Sequence, residues 1–199
     1  MSHHGAVLSL RMARPGDGHA LAVIYAPVVR DTAVSFEATP PTADAMAGRV
    51  EATLATHPWL VAERGDALVG YAYASPHRTR PAYRWSAETS VYVHRDARRK
   101  GVARRLYGAL LAQLELLGFA TALAGVTVPN EASVALHRAL GFTRVGLYRR
   151  VGFKRGAWHD VLWLERALGE PGHPPREPAT PAALAGTDAW AATFTRGRP

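Results

Sequence analysis

The sequence predicts a mixed α/β domain, and three observations predict it. Strand and helix patterns alternate at both ends of a hairpin-rich middle, in the order βα(α)βββαβαββ. Leu106, Leu110, Leu114 and Leu117 fall on one face of a helix that Gly118 stops. Leu60–Glu63 and Ala67–Ala74 read as strands joined by Arg64-Gly65-Asp66, a hairpin signal.

Taken in order, Val7 to Met12 alternates as a short strand. Asp17 to Val29 is a helix, with Leu21, Ile24, Tyr25 and Val28 at helical spacing. Asp31 to Thr42 is a loop that carries Phe36 and ends in Pro40-Pro41. Ala43 to Thr56 is a second helix, ended by Pro58. After the hairpin, Ser75 to Trp85 is a long polar and aromatic loop, and Ala87 to His94 is a strictly alternating strand. The leucine helix covers Gly101 to Leu117. Thr121 to Val128 is an apolar strand ended by Pro129, and Glu131 to Leu140 is a helix stopped by Gly141. Phe142–Phe153 and Trp158–Glu165 are two strands around Lys154-Arg155-Gly156-Ala157. Residues 1–6 are expected to be a disordered lead-in and 7–167 one domain. From Glu170 onward the chain is rich in Pro, Ala and Thr with few bulky apolar residues, so 168–199 is expected to be a disordered tail. Its deletion is expected to leave activity near normal.

The chain has 199 residues, 48% apolar and 20% charged, which suits one soluble domain with a full core. No apolar run reaches the roughly 18 residues of a membrane span, and the start has no secretory pattern. A cytoplasmic address is expected. With no cysteine, disulfides, thiolate metal sites and a cysteine acyl-intermediate are excluded. The net charge of +8 would suit a polyanion. The basic residues are spread along the chain, however, and their one tight cluster sits beside a glycine at a helix start. Nucleic-acid binding is therefore not expected.

That cluster is Arg95, Arg98, Arg99, Lys100, Arg104 and Arg105, and it surrounds the stretch Arg98-Arg99-Lys100-Gly101-Val102-Ala103. Free N–H groups at a helix start attract anions, and Gly101 and Ala103 let phosphate oxygens approach the backbone. No Gly-Lys-Ser/Thr follows and no Gly-x-Gly-x-x-Gly is present, so nucleotide and dinucleotide loops are excluded. Farther on, Asn130 caps the next helix, and Asn130, Ser133 and His137 share one of its faces. A serine hydrolase is rejected: the Gly-x-Ser-x-Gly elbow is missing and Ser133 lies inside a helix. A long phosphate-bearing cofactor, with chemistry at its far end, fits both stretches. In the strand from Glu88 to Val93, Glu88, Ser90 and Tyr92 lie on one face. Glu88 is a candidate general base, because an ammonium must lose a proton before it can attack a carbonyl. The preceding loop carries Arg78, Arg80, Tyr83 and Trp85, guanidinium groups and rings suited to an anionic small molecule.

These residues resemble the GNAT superfamily of N-acetyltransferases, and within it the phosphinothricin N-acetyltransferase family, over roughly residues 7–166. The general signature is Arg98-x-x-Gly101-x-Ala103, Asn130-x-x-Ser133 and Gly141-Phe142. The narrower one includes Ser35-Phe36-Glu37, Pro58-Trp59, Arg80-x-Ala82-Tyr83-x-Trp85, Leu136-His137 and Gly152-Phe153-Lys154-x-Gly156-x-Trp158-His159-Asp160-Val161. The resemblance implies a mixed, mostly antiparallel central sheet flanked by helices. It implies transfer of acetyl from acetyl-coenzyme A to an amino acid's α-amine, with no metal. It puts pyrophosphate near Arg98, Arg99, Lys100, Gly101, Val102 and Ala103, and pantetheine beside Val91, Val93, Asn130 and Ser133. Glu88 is then the base and His137 a second catalytic or positioning group, with Phe36, Arg78, Arg80, Tyr83, Ser90 and Tyr92 around the substrate. A homodimer is implied. Ala103 stands where glycine is common, and Ser90 where threonine is frequent.

Overall fold

The computed structural model describes residues 7–170 and 172–195. The expected lead-in, residues 1–6, lies outside them. Seven strands form one sheet in the order β1-β2-β3-β4-β5-β7-β6. They are β1 (Leu8–Met12), β2 (Trp59–Arg64), β3 (Ala67–Pro76), β4 (Ser86–Val93), β5 (Thr121–Val128), β6 (Thr143–Lys154) and β7 (Ala157–Ala167). Every pairing is antiparallel except β4 with β5. The mixed, mostly antiparallel sheet expected from the sequence is therefore present.

Both faces of the sheet are covered, because the central strands alternate two sets of apolar side chains. In β2, Leu60 and Ala62 face one core while Trp59 and Val61 face the other, and all four are fully buried. The first core lies under helix α3 (Val102–Leu117), whose Leu106, Leu110 and Leu114 are wholly buried. Truncating one such leucine to alanine costs about 2–5 kcal/mol. The second core lies under α1 (Gly18–Asp31) and α2 (Ala43–Leu54), through Leu21, Ile24, Met46 and Val50. Helix α4 (Glu131–Ala139) follows β5.

The single parallel pairing sets up the site. β4 and β5 are in register only over Ser86–Glu88 against Thr121–Leu123. From Thr89 onward, that edge of β4 faces a wedge instead of a neighbouring strand. The adjoining edge of β5 continues in register with β7 to Val128, so the splay is local to β4 and β5.

The tail departs from the disorder expected of it. Two short helices, α5 (Pro181–Leu184) and α6 (Asp188–Thr193), lie against the body. The Ala179 amide donates to the Leu117 carbonyl at 2.8 Å, and Gln113 donates to the Thr193 hydroxyl at 3.2 Å. Trp190 is only 2% exposed and joins the core under α3, with Leu184 and Phe194 packed alongside. Composition counts bulky residues and finds few here. The few that are present, Trp190 with Leu184 and Phe194, all face the body.

Candidate active site

Between β4 and α3 lies the turn in which the sequence predicts anion binding. Gly101 is left-handed at φ 77°, and a Cβ there would meet nothing within 4 Å. Arg99 is also left-handed, at φ 59°. The first bond of the helix runs from the Arg105 amide to the Gly101 carbonyl at 3.1 Å. The amides of Gly101, Val102, Ala103 and Arg104 precede it and have no acceptor within the helix. Arg98, Arg99, Lys100 and Gly101 are exposed around them. The Arg98 side chain donates to the Val93 carbonyl at 3.3 Å, and Lys100 to the Asp96 carbonyl at 2.8 Å. The result is a cationic turn at the positive end of a long helix, able to hold a diphosphate.

Val91 and Val93 are half-buried against the α3 core, where β4 leaves β5. Across the wedge, Asn130 Oδ1 accepts the Ser133 amide at 3.2 Å and caps α4, as expected. His137 does share that face: its Nδ1 lies 2.7 Å from the Ser133 carbonyl and 3.4 Å from the Ser133 hydroxyl. Its Nε2 lies 2.9 Å from the phenol of Tyr107, which lies 3.2 Å from the Thr89 hydroxyl. A carbonyl only accepts, so Nδ1 carries the proton. Burial pushes the His137 pKa down, and the Ser133 carbonyl partly restores it. The ring is 4% exposed and neutral near pH 7.

His137 and Glu88 do not meet. Thr89, the end of the His137 chain on β4, points to the face opposite Glu88. Sequence reading put both in a catalytic set; the structure brings them to the same strand from opposite sides.

Glu88, Ser90 and Tyr92 line one face of β4, opposite Ser75, Tyr73 and Tyr71 of β3. The Glu88 carboxylate accepts from His77 Nδ1 at 2.8 Å, with Arg78 Nη1 at 3.6 Å. His77 in turn meets the edges of Tyr83 and Trp163, at 5.9 and 5.7 Å between centroids. His77 was not singled out from the sequence. The strand register holds its signal: Pro76 pairs with Ala87, so His77 falls opposite Ser86, diagonal to Glu88 on the same face. Ser90 bonds the Tyr73 phenol. Tyr92 meets Tyr25 edge-on at 4.8 Å, and burial holds its phenol well above the usual pKa.

A cavity of about 340 Å³ opens on this face, lined by Tyr25, Met46, Arg49, Trp59, Tyr73 and Ser75 among others. Ser75 is the cross-strand partner of Glu88, so the cavity and the carboxylate adjoin. Arg49 is held by Glu37 through two bonds of 2.8 and 2.9 Å. Glu37 also accepts from Tyr25 at 3.0 Å, and Arg49 holds its carboxyl below the usual range. The loop before α2 is fixed by Lys154, whose ammonium donates to the carbonyls of Val29, Ser35 and Glu37 at 2.6, 2.7 and 2.9 Å. Phe36 thereby stays 42% exposed, its ring against Gly152, where a Cβ would overlap it. Tyr83 is equally exposed, and the Arg80 guanidinium has no partner among the described residues. Of the substrate set read from the sequence, Ser90 and Tyr92 share the Glu88 face and Arg78 is turned to Glu88, while Phe36 sits against β6. Among the described residues, no cluster of three or more His, Asp or Glu could hold a metal ion. No described helix is long and apolar enough to cross a membrane.

Residues 10–163 match the acetyltransferase (GNAT) domain family. The phosphinothricin N-acetyltransferase of Streptomyces viridochromogenes is 36% identical over 181 residues, 90% of this chain and 99% of that one. The L-methionine sulfoximine/L-methionine sulfone acetyltransferase of Salmonella typhimurium is 32% identical, over 82% of this chain and 96% of its own. The crystal structure of a GNAT superfamily phosphinothricin acetyltransferase from Sinorhizobium meliloti, in complex with acetyl-coenzyme A, superposes with a TM-score of 0.80. Its identity is 34%, over 96% of this chain and 99% of that one.

Proposed function

The chain belongs to the GNAT N-acetyltransferases, which use acetyl-coenzyme A, and we propose that it acetylates the α-amine of phosphinothricin-like amino acids. The observation that carries this reading is the Glu88 carboxylate, oriented by His77 and Arg78 beside an aromatic cavity and next to the β4–β5 wedge.

The residues present fit the co-substrate. The amides of Gly101 to Ala103, with Arg98, Arg99 and Lys100, would take the diphosphate, and Val91, Val93, Asn130 and Ser133 would flank the arm. When bound, acetyl-coenzyme A supplies the activated acetyl group. Glu88 takes the proton of the incoming ammonium, directly or through one water, and His77 fixes the carboxylate's direction by donating to one oxygen. Arg80 pairs with an anionic group of the amino acid, while Phe36, Tyr83, Ser90 and Tyr92 wall its side chain. His137, neutral and fixed by Ser133 and Tyr107, holds the other side of β4. The methionine sulfoximine and sulfone reading keeps the same steps and has the Salmonella relative's similarity in its favour. A second copy of this chain is the partner proposed for the apolar arm of β6 and β7.

Thiol release from acetyl-coenzyme A, read with a disulfide dye, tests the proposal without background, since the chain has no cysteine. Phosphinothricin, methionine sulfoximine, methionine sulfone and glutamate are offered in parallel. Preference for phosphinothricin is expected; preference for the methionine derivatives would move the assignment to them, and no turnover of any would overturn it. Glu88→Gln is expected to lower kcat about 10²–10⁴-fold with the melting temperature unchanged. Unchanged turnover would remove Glu88 as base.

A further inference from the structure

The loop that carries Arg80 and Tyr83 has few bonds of its own. Within it, the Tyr83 amide reaches the Arg80 carbonyl at 3.0 Å, and Arg84 reaches the Pro81 carbonyl through its amide and its Nε. One end is tied by His77 to Glu88. The other end is Trp85, whose carbonyl accepts the amides of Ala120 and Thr121.

The C-terminal segment supplies what the loop lacks. The Trp85 indole N–H donates to the Arg176 carbonyl at 2.7 Å. Arg84 stacks over the Trp85 ring at 5.2 Å and pairs with Glu177 at 2.5 Å. Two residues beyond Glu177, the Ala179 amide is fixed to the C-terminal end of α3, and farther on Trp190 is sunk in the core. The segment is therefore anchored on the body and touches the loop through two side chains, Trp85 and Arg84, from positions 91 and 93 residues away in sequence.

We propose that residues 172–195 form a strap that positions the Arg80–Tyr83 loop for the acceptor amino acid, with Trp85 and Glu177 as positioning residues. The proposal rests on the reading of this loop as the acceptor side of the site. Among the described residues no hydrogen bond or ion pair joins the strap to the phosphate turn or the wedge, so its effect falls on the amine and not on acetyl-coenzyme A. The ion pair is exposed and contributes little by itself. The buried anchor makes the contact persistent, because it holds the strap's backbone in reach of the indole.

The test compares the full chain with Trp85→Phe, Glu177→Ala and Trp190→Ala, each assayed well below its melting temperature. Trp85→Phe is expected to raise KM for the amine about fivefold, the worth of one net hydrogen bond. Glu177→Ala should raise it less, and both should leave KM for acetyl-coenzyme A and the melting temperature unchanged. Trp190→Ala should lower the melting temperature and raise the amine KM alone, and Trp85→Phe should then add nothing on that background. Trypsin cleavage after Arg78 gives a readout that needs no turnover. Faster cleavage in Trp85→Phe and Trp190→Ala supports the strap even if none of the four amines is acetylated, in which case only the functional reading fails. Cleavage at the parent rate, or a rise in both KM values together, overturns it.

Discussion

His57 precedes β2 with only 6% of its surface exposed and its ring tilted over Phe119 at 5.0 Å. Burial lowers its pKa from 6.5 to about 4. The unfolded chain takes up a proton there as pH falls below 6.5, and the folded chain does not until about 4. His57 therefore contributes stability that is complete above pH 6.5 and is lost between 6.5 and 4, on the order of 3 kcal/mol. His137, lowered for the same reason, acts in the same direction. Urea melts at pH 7.5 and 4.5 should show a smaller acid loss in His57→Phe than in the parent; an equal loss would mean that His57 is protonated in the folded state. Residues of this kind differ in how far the sequence reveals them. Glu88 was legible, because strict alternation alone puts a carboxylate, a hydroxyl and a phenol on one face. Lys154 was visible only as part of a motif, because its three carbonyl acceptors lie 117 to 125 residues away. His77 needed the register of a hairpin to be seen beside Glu88.

At the level of elements, the turn before α3 was readable as a shape because everything that makes it is local: a basic run, a glycine, then four leucines in phase. Gly101 has room for a side chain but not the backbone for one, at φ 77°. Gly101→Ala should cost about 1 kcal/mol of stability by forcing a left-handed alanine. It should also raise KM for acetyl-coenzyme A more than KM for the amine. The reverse order would place the cofactor elsewhere. The helices and strands from β1 to β7 lie within two residues of the expected bounds. The wedge was not readable, since it depends on where two strands whose paired residues are 35 apart stop pairing. α5 and α6 were missed because their helical turns are short and their one strong signal, Trp190, stands alone in a Pro- and Ala-rich stretch.

Across the whole molecule, apolar surface is left uncovered on one arm of the sheet. β6 is the edge strand, twelve residues long, and its outer edge pairs with no other described strand. Val145, Tyr148, Val151 and Phe153 on β6 and Trp158 on β7 are between 49% and 62% exposed. A long edge with apolar side chains invites pairing; exposed Arg144, Arg149 and Arg150 and two irregularities, at Arg144–Gly146 and Tyr148–Gly152, restrict which partner can add to it, and in the second Arg150 is left-handed with its amide held by Asp160. The charge of +8 opposes loose aggregation, and a second copy, the partner proposed above, would offer the same apolar arm in return. Sedimentation equilibrium at micromolar concentration should give twice the chain mass of 21.5 kDa. Val145→Asp with Phe153→Asp should bring it to the single mass, by putting a carboxylate on each side of the proposed interface. A parent chain that sediments as a monomer would leave the arm without the partner proposed for it. A variant that stays dimeric would move the interface to another face.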